Sequence, residues 1–231
     1  MTFGANGIPL NSSDLISYGG DGALANLETG AMKKGRMSLI IGTSGTVRLP
    51  IKKPFIDSKM RTQHYHLIDN QYFKLGAVNN GAIILQWLKE AILQTTESFD
   101  ELVFHAQNIP AGSDGLIFVL YLLGERAPIW DASAQGILIG ITISHAKNHI
   151  IRATLEEILF GLLSISEILI PYKKDREQII IMASGEFTKN DVWLLIAADV
   201  FQMKGVVSQK IEGSAWVAVL IGFIAFSVES N

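Results

Sequence analysis

Residues 38–49 read SLIIGTSGTVRL (Ser38 to Leu49), with aliphatic and β-branched residues on both sides of a Gly-Thr-Ser-Gly centre, Gly42 to Gly45. Strand-forming residues flanking a tight glycine-bearing turn predict an antiparallel pair. Downstream, HYHLIDNQYFKLGAV (His64 to Val78) places apolar runs around Asp69-Asn70 and predicts a second hairpin. The period then changes. Ile83, Ile84, Trp87, Leu88, Ala91 and Ile92 recur at intervals of three and four, as on an amphipathic helix, with Asn79-Asn80 placed to cap it. A weaker helical pattern covers Phe99 to Ala106, and the continuous apolar run GLIFVLYLL (Gly115 to Leu123) predicts a buried strand. Ser144 is positioned to cap a helix over residues 145–169, with Pro171 as its stop. QIIIMASGEF (Gln178 to Phe187) then reads as a strand, DVWLLIAADVF as a helix, GVVSQ as a short strand and the segment from Ser214 as a closing helix. Antiparallel strands followed by alternating helices and strands predict an α/β domain with a mixed sheet flanked by helices.

Composition narrows the functional classes. The chain has 231 residues, 48% of them hydrophobic, enough to bury a sizeable core in one large domain. Its net charge is −3, and no stretch interleaves basic and aromatic residues, so nucleic acid is not an expected partner. The absence of cysteine removes disulfides and thiolate chemistry and suits a reducing compartment. The opening MTFGANGIPLNSS has no basic-then-apolar layout, and the apolar run Ala215 to Val228 is shorter than the ~20 residues a membrane helix needs. A cytoplasmic protein without membrane partners is the expectation. His64 and His66 alternate onto one side of a strand but have no third ligand nearby in sequence, so no metal site is assigned to protein side chains. His145 and His149, spaced i, i+4 at a helix start, read as surface or capping residues.

Upstream of the hairpins, YGGDGALANLE (Tyr18 to Glu28) delivers one carboxylate, Asp21, between glycines at the mouth of a short helical pattern. On local grounds Asp21 is either a helix cap within a turn or a reactive group. The order of motifs decides between them. GGDGALANLE, IGTSGTVR, GAVNNGAIILQWLKE, YLLGERAPIWDASAQG and ASGEF follow one another with the order and spacing of the FGGY carbohydrate kinases. The wording GERAPIWDASAQG and VNNG is most similar to the gluconate kinases of that family, with the xylulose kinases next.

The resemblance implies a ribonuclease H-like fold of the actin, hexokinase and sugar kinase superfamily. It also implies that residues 1–231 are the C-terminal, nucleotide-binding domain of a two-domain enzyme whose N-terminal, sugar-binding domain lies outside this chain. The implied activity is ATP-dependent phosphorylation of a sugar or sugar acid, with Mg²⁺ and with a homodimer as an assembly to test. Asp21 matches the catalytic aspartate, and Gly20 beside it matches the substrate side. Gly42, Thr43, Ser44 and Gly45 match the second phosphate loop, where exposed N–H groups bind anions. Gly76 and Gly81, with Asn79 and Asn80 between them, fall on the nucleotide side of the cleft, helix capping being the equal alternative for the two asparagines, and Gly185, Glu186 and Asn190 fall on the adenosine segment. Glu186 stands where the family's second glycine is usual, and Trp216 and Val217 stand where small residues usually pack, so weakened ATP binding is an expected departure. Glu125 and Arg126 are candidates for the substrate side, since Arg can clamp a carboxylate with two hydrogen bonds; a structural ion pair is the alternative. A binding module without activity of its own, a xylulose kinase and a chaperone-like ATPase stand as alternative functions.

Overall fold

The computed structural model describes residues 29–54, 56–66 and 71–208. The two predicted hairpins form as β1 (Arg36–Ile41) against β2 (Gly45–Ile51), and β3 (Gln63–His66) against β4 (Tyr72–Val78). Ser38 faces Arg48 in the first pair, and β2 also pairs antiparallel with β4. The strands β7 (Ile180–Ser184) and β8 (Lys204–Val207) add parallel to the other side of β1, giving the order β3-β4-β2-β1-β7-β8. The sheet is therefore mixed, as the strand-then-alternation pattern predicts.

Five helices accompany it among the described residues: α1 (Ile83–Trp87), α2 (Phe99–His105), α3 (Lys147–Leu169), the single turn α4 (Lys173–Arg176) and α5 (Asp191–Phe201). The core helix is α3. Ile151, Leu155, Ile158, Leu159, Leu162, Ile165 and Leu169 recur at helical spacing and are all buried. Complete burial of each contributes roughly 1.5–3 kcal/mol of transfer free energy before conformational entropy is charged against it. Small residues let the helix approach the sheet closely: a methyl group on Gly76 would lie 2.5 Å from Ile165 Cγ2, and one on Gly45 would lie 3.0 Å from Leu162 Cδ1. Lys74 is buried on the same face, and its Nζ donates to the Ile168 carbonyl at 3.2 Å, near the negative end of α3.

Four local expectations are corrected. After Trp87 the α1 helix continues as a π-helix, Leu88–Leu93, and ends at Gln94 in the left-handed region. The run GLIFVLYLL contributes only β5 (Ile117–Val119), which pairs with β6 (Ile137–Ile139) in a separate two-stranded sheet. This ribbon leaves Ile117, Ile137 and Ile139 about half exposed, so the run is not a strand of the main core. Helix α3 starts at Lys147, not at a Ser144 cap: Ala146 N–H donates to His149 Nδ1 at 3.0 Å, while the Ser144 hydroxyl bonds to that of Thr142. Asn79 and Asn80 do not cap α1, whose N-cap is Ala82. No helix among the described residues is long and apolar enough to cross a membrane. The Tyr18 to Glu28 stretch, with Gly20 and Asp21, lies outside the described residues, as do Trp216, Val217 and the closing segment.

Candidate active site cleft

β1 and β7 are parallel neighbours, and their connections diverge at the carboxyl ends. The chain leaving β1 turns through Gly42, Thr43 and Ser44 into β2. The chain leaving β7 turns at Gly185 into a 3₁₀ turn, Glu186–Lys189, and then α5. Diverging connections at adjacent carboxyl ends open a crevice, the usual ligand position in α/β sheets. Here it measures about 540 Å³ and is bounded by Gly42 and Thr43, by Ala82, Ile83, Leu85 and Gln86 of the α1 region, by Ser98, Phe99, Asp100 and Val103 of the α2 region, and by Glu186, Lys189, Asn190 and Trp193.

The orientation of the 42–44 loop follows from two hydrogen bonds. Ala82 N–H donates to the Gly42 carbonyl at 2.8 Å, and Ile83 N–H donates to the Thr43 carbonyl at 3.3 Å. In a trans planar peptide the N–H opposes the C=O, so the amides of Thr43 and Ser44 both point away from the first turn of α1. Consecutive N–H groups turned to one side form a concavity suited to an anion. The loop is backed by Gly81, where a methyl group would lie 2.6 Å from the Ser44 carbonyl carbon and 2.8 Å from the Gly42 oxygen. On the cleft side, a methyl on Gly42 would meet open space. Ser44, Gly45 and Gly81 thus shape the loop from behind, while Gly42 and Thr43 line the cleft. At the end of β7, Gly185 has φ +99°, and any Cβ there would collide with the Ile41 carbonyl oxygen, so only glycine lets the two strand ends sit side by side.

The opposite wall is held by Asn190. Its Oδ1 accepts from the N–H groups of Val192 and Trp193 at 3.1 and 3.3 Å, capping α5, and its Nδ2 donates to Asp100 Oδ1 at 3.2 Å. The side chain is committed to joining two helices and contributes to the cleft as wall. Glu186 pairs with Lys189 at 2.9 Å, so the carboxylate at the rim has a cation beside it. Phe99 lies on the rim with Lys89 Nζ 5.0 Å from its ring centroid. Phe99, Asp100, Gln86 and Lys189 were not selected from the sequence. The available signal was a large aromatic, Phe99, directly after Ser98 in the Ser98-x-x-Glu101 capping-box pattern.

Glu125 and Arg126 do not line the cleft. Glu125 is buried and accepts from Asn79 N–H at 2.7 Å, Arg126 N–H at 2.7 Å and Asn80 Nδ2 at 3.0 Å. Asn80 also donates to the Gly124 carbonyl and accepts from Leu123 N–H, while Arg126 Nη2 donates to the Val78 carbonyl at 2.9 Å. The network ties the loop after Leu122 to the two residues preceding Gly81. It is built from hydrogen bonds to backbone and amide groups, a structural role for Glu125 and Arg126 that resembles the alternative reading but uses no ion pair between them.

Sheet order and cleft position define an α/β domain of the ribonuclease H-like class, the fold common to sugar kinases, hexokinase and actin. Residues 37–226 match the FGGY family of carbohydrate kinases, C-terminal domain, and the chain belongs to that family. It is 37% identical over 214 residues to the gluconokinase of Bacillus subtilis (strain 168), covering 89% of this chain and 42% of that protein. It is 29% identical over 213 residues to the xylulose kinase of the same organism, covering 92% and 42%. Among solved structures, the ligand-bound xylulose kinase and the gluconate kinase from Lactobacillus acidophilus superpose with TM-scores of 0.82 and 0.81, each at 33% identity and each covering 91% of this chain and 42% of the other. The chain therefore spans less than half the length of these relatives.

Proposed function

We propose that this chain is the nucleotide-binding half of an ATP-dependent kinase acting on a sugar acid of the gluconate type. The observation that carries the proposal is the cleft at the carboxyl ends of β1 and β7, where the Thr43 and Ser44 amides turn away from α1 beside Gly42. A cleft of about 540 Å³ falls in the ~300–1,000 Å³ range of small-molecule sites, and the outward amides suit phosphate. In this reading the loop holds the nucleotide phosphates, and the space bounded by Phe99, Asp100 and Asn190 takes the nucleoside. Glu125, Arg126, Asn79 and Asn80 act as positioning residues that hold Gly81, and through it the loop. Mg²⁺, when bound with the nucleotide, would supply charge neutralisation at the phosphates.

Asp21 is assigned as general base. It accepts the proton of the attacking hydroxyl as that oxygen bonds to the terminal phosphorus and the bond to the bridging oxygen breaks, leaving ADP. The assignment rests on the match of GGDG to the family's motif. In the complete enzyme, Asp21→Asn is expected to remove nearly all turnover while leaving the dissociation constant of a non-hydrolysable ATP analogue within about threefold. Near-normal turnover in that variant would overturn the assignment. Gluconate is favoured over xylulose as acceptor by the higher identity to gluconokinase, 37% against 29%. Comparing kcat/KM for the two acceptors tests that choice.

A further inference from the structure

The end of the sheet remote from the cleft has a charge pattern that the kinase reading does not use. Residues 29–54 contain Lys33, Lys34, Arg36, Arg48, Lys52 and Lys53 and no Asp or Glu, within a chain of net charge −3. The antiparallel register Ser38↔Arg48 brings the turn before β1 alongside the residues after β2. Lys34, Lys52 and Lys53 thereby border a single groove of about 1,060 Å³, with Pro50 and Tyr72 forming apolar wall and Gln71 at its side. All three lysines are exposed, and among the described residues their ammonium groups have neither an ion pair nor a hydrogen bond. Clustered like charges raise one another's free energy, and a bound anion relieves that repulsion.

We propose that this groove is a second anion site, which takes a small metabolite carrying two anionic groups, of the phosphorylated sugar or sugar-acid class. Lys34 before β1 and Lys52 and Lys53 after β2 supply three ammonium groups along one border of the groove, so a ligand with two charged ends engages more of them than a single phosphate does. The apolar wall at Pro50 and Tyr72 suits the carbon chain between the charged ends. The groove lies at the amino end of six-residue β1, about 20 Å from the cleft at its carboxyl end, so occupancy of one does not exclude the other. The inference is independent of what the cleft binds.

Calorimetric titration of the full 231-residue chain at low ionic strength tests it, with 6-phosphogluconate and inorganic pyrophosphate as two-anion probes and inorganic phosphate and gluconate as single-anion probes. Saturable binding that depends on the groove lysines is expected for the two-anion probes and binding at least ~10-fold weaker for the single-anion probes, with affinity falling as salt rises. Lys34→Ala and the double variant Lys52→Ala/Lys53→Ala should each weaken the two-anion probes by ~10-fold, while Lys189→Ala at the cleft rim leaves them unchanged. Several outcomes would overturn the proposal: no binding, binding insensitive to the groove lysines, loss on Lys189→Ala, or inorganic phosphate binding as tightly as pyrophosphate. An unchanged urea transition in both groove variants verifies that the fold is kept, as expected for exposed side chains.

Discussion

Three glycines sit at the cleft, and they differ in what surrounds them. Gly81 has backbone behind it, Gly185 has a neighbouring strand's carbonyl against it, and Gly42 has open space. Gly81→Ala forces a methyl group within 2.6 Å of the Ser44 carbonyl carbon, so the loop must shift. The expected cost is about 1–3 kcal/mol of stability, together with at least a ~10-fold loss of nucleotide affinity, measured by urea denaturation and analogue titration. Gly42→Ala should stay within about 0.5 kcal/mol of the parent in stability. Equal destabilisation by the two substitutions would contradict the geometry. The glycine turn between β1 and β2 was legible because its residues are local in sequence. The Glu125 network was not, because its partners stand about 45 residues apart and meet only when the loop after Leu122 folds against the end of β4.

Helix α3 carries a charge in an unfavourable place. Burial pushes the Glu157 carboxyl up to about 7 from a usual value near 4.5. A raised carboxyl means the folded state holds its proton after the unfolded chain has lost it. Below about pH 4.5 the group costs nothing; between about 4.5 and 7 stability falls with rising pH, and above 7 the full penalty remains. Glu157→Gln should therefore flatten that dependence and raise stability at pH 8 by roughly 1–3 kcal/mol, a range discounted for the group's partial exposure. Urea midpoints at pH 5 and pH 8 for parent and variant check it; parallel shifts in both proteins would remove Glu157 as the cause. As an element α3 was readable because its apolar stripe persists over many turns. The π-helical stretch after Trp87 was not, since six residues are too few to separate its period from that of an α-helix. GLIFVLYLL misled because a continuous apolar run has no period to say which surface it will face. The wall of the cleft at Phe99 and Asp100 carries no spacing signal: it is assembled from a short helix, and only tertiary packing turns it toward the glycine loop.

The chain as a whole covers 42% of the Bacillus subtilis gluconokinase. Phosphoryl transfer needs acceptor and nucleotide held in line with water excluded, which in a two-domain kinase requires closure of one half over the other. These 231 residues alone are expected to bind a nucleotide analogue yet give no ATP-dependent phosphorylation of gluconate above background; robust turnover in a coupled assay would show that these residues suffice. The β5–β6 ribbon bears on how the molecule behaves in concentrated solution. The segment GILIGITIS, Gly136 to Ser144, contains no charge, and Ile137, Ile139, Ile141 and Ile143 each expose about half or more of their surface. Alternating isoleucines without a gatekeeping charge or proline make an adhesive strip, so colloidal stability should be limited here and not by the charged remainder of the surface. Static light scattering against concentration should give an attractive second virial coefficient that Ile141→Lys turns toward repulsion, with the unfolding midpoint unchanged.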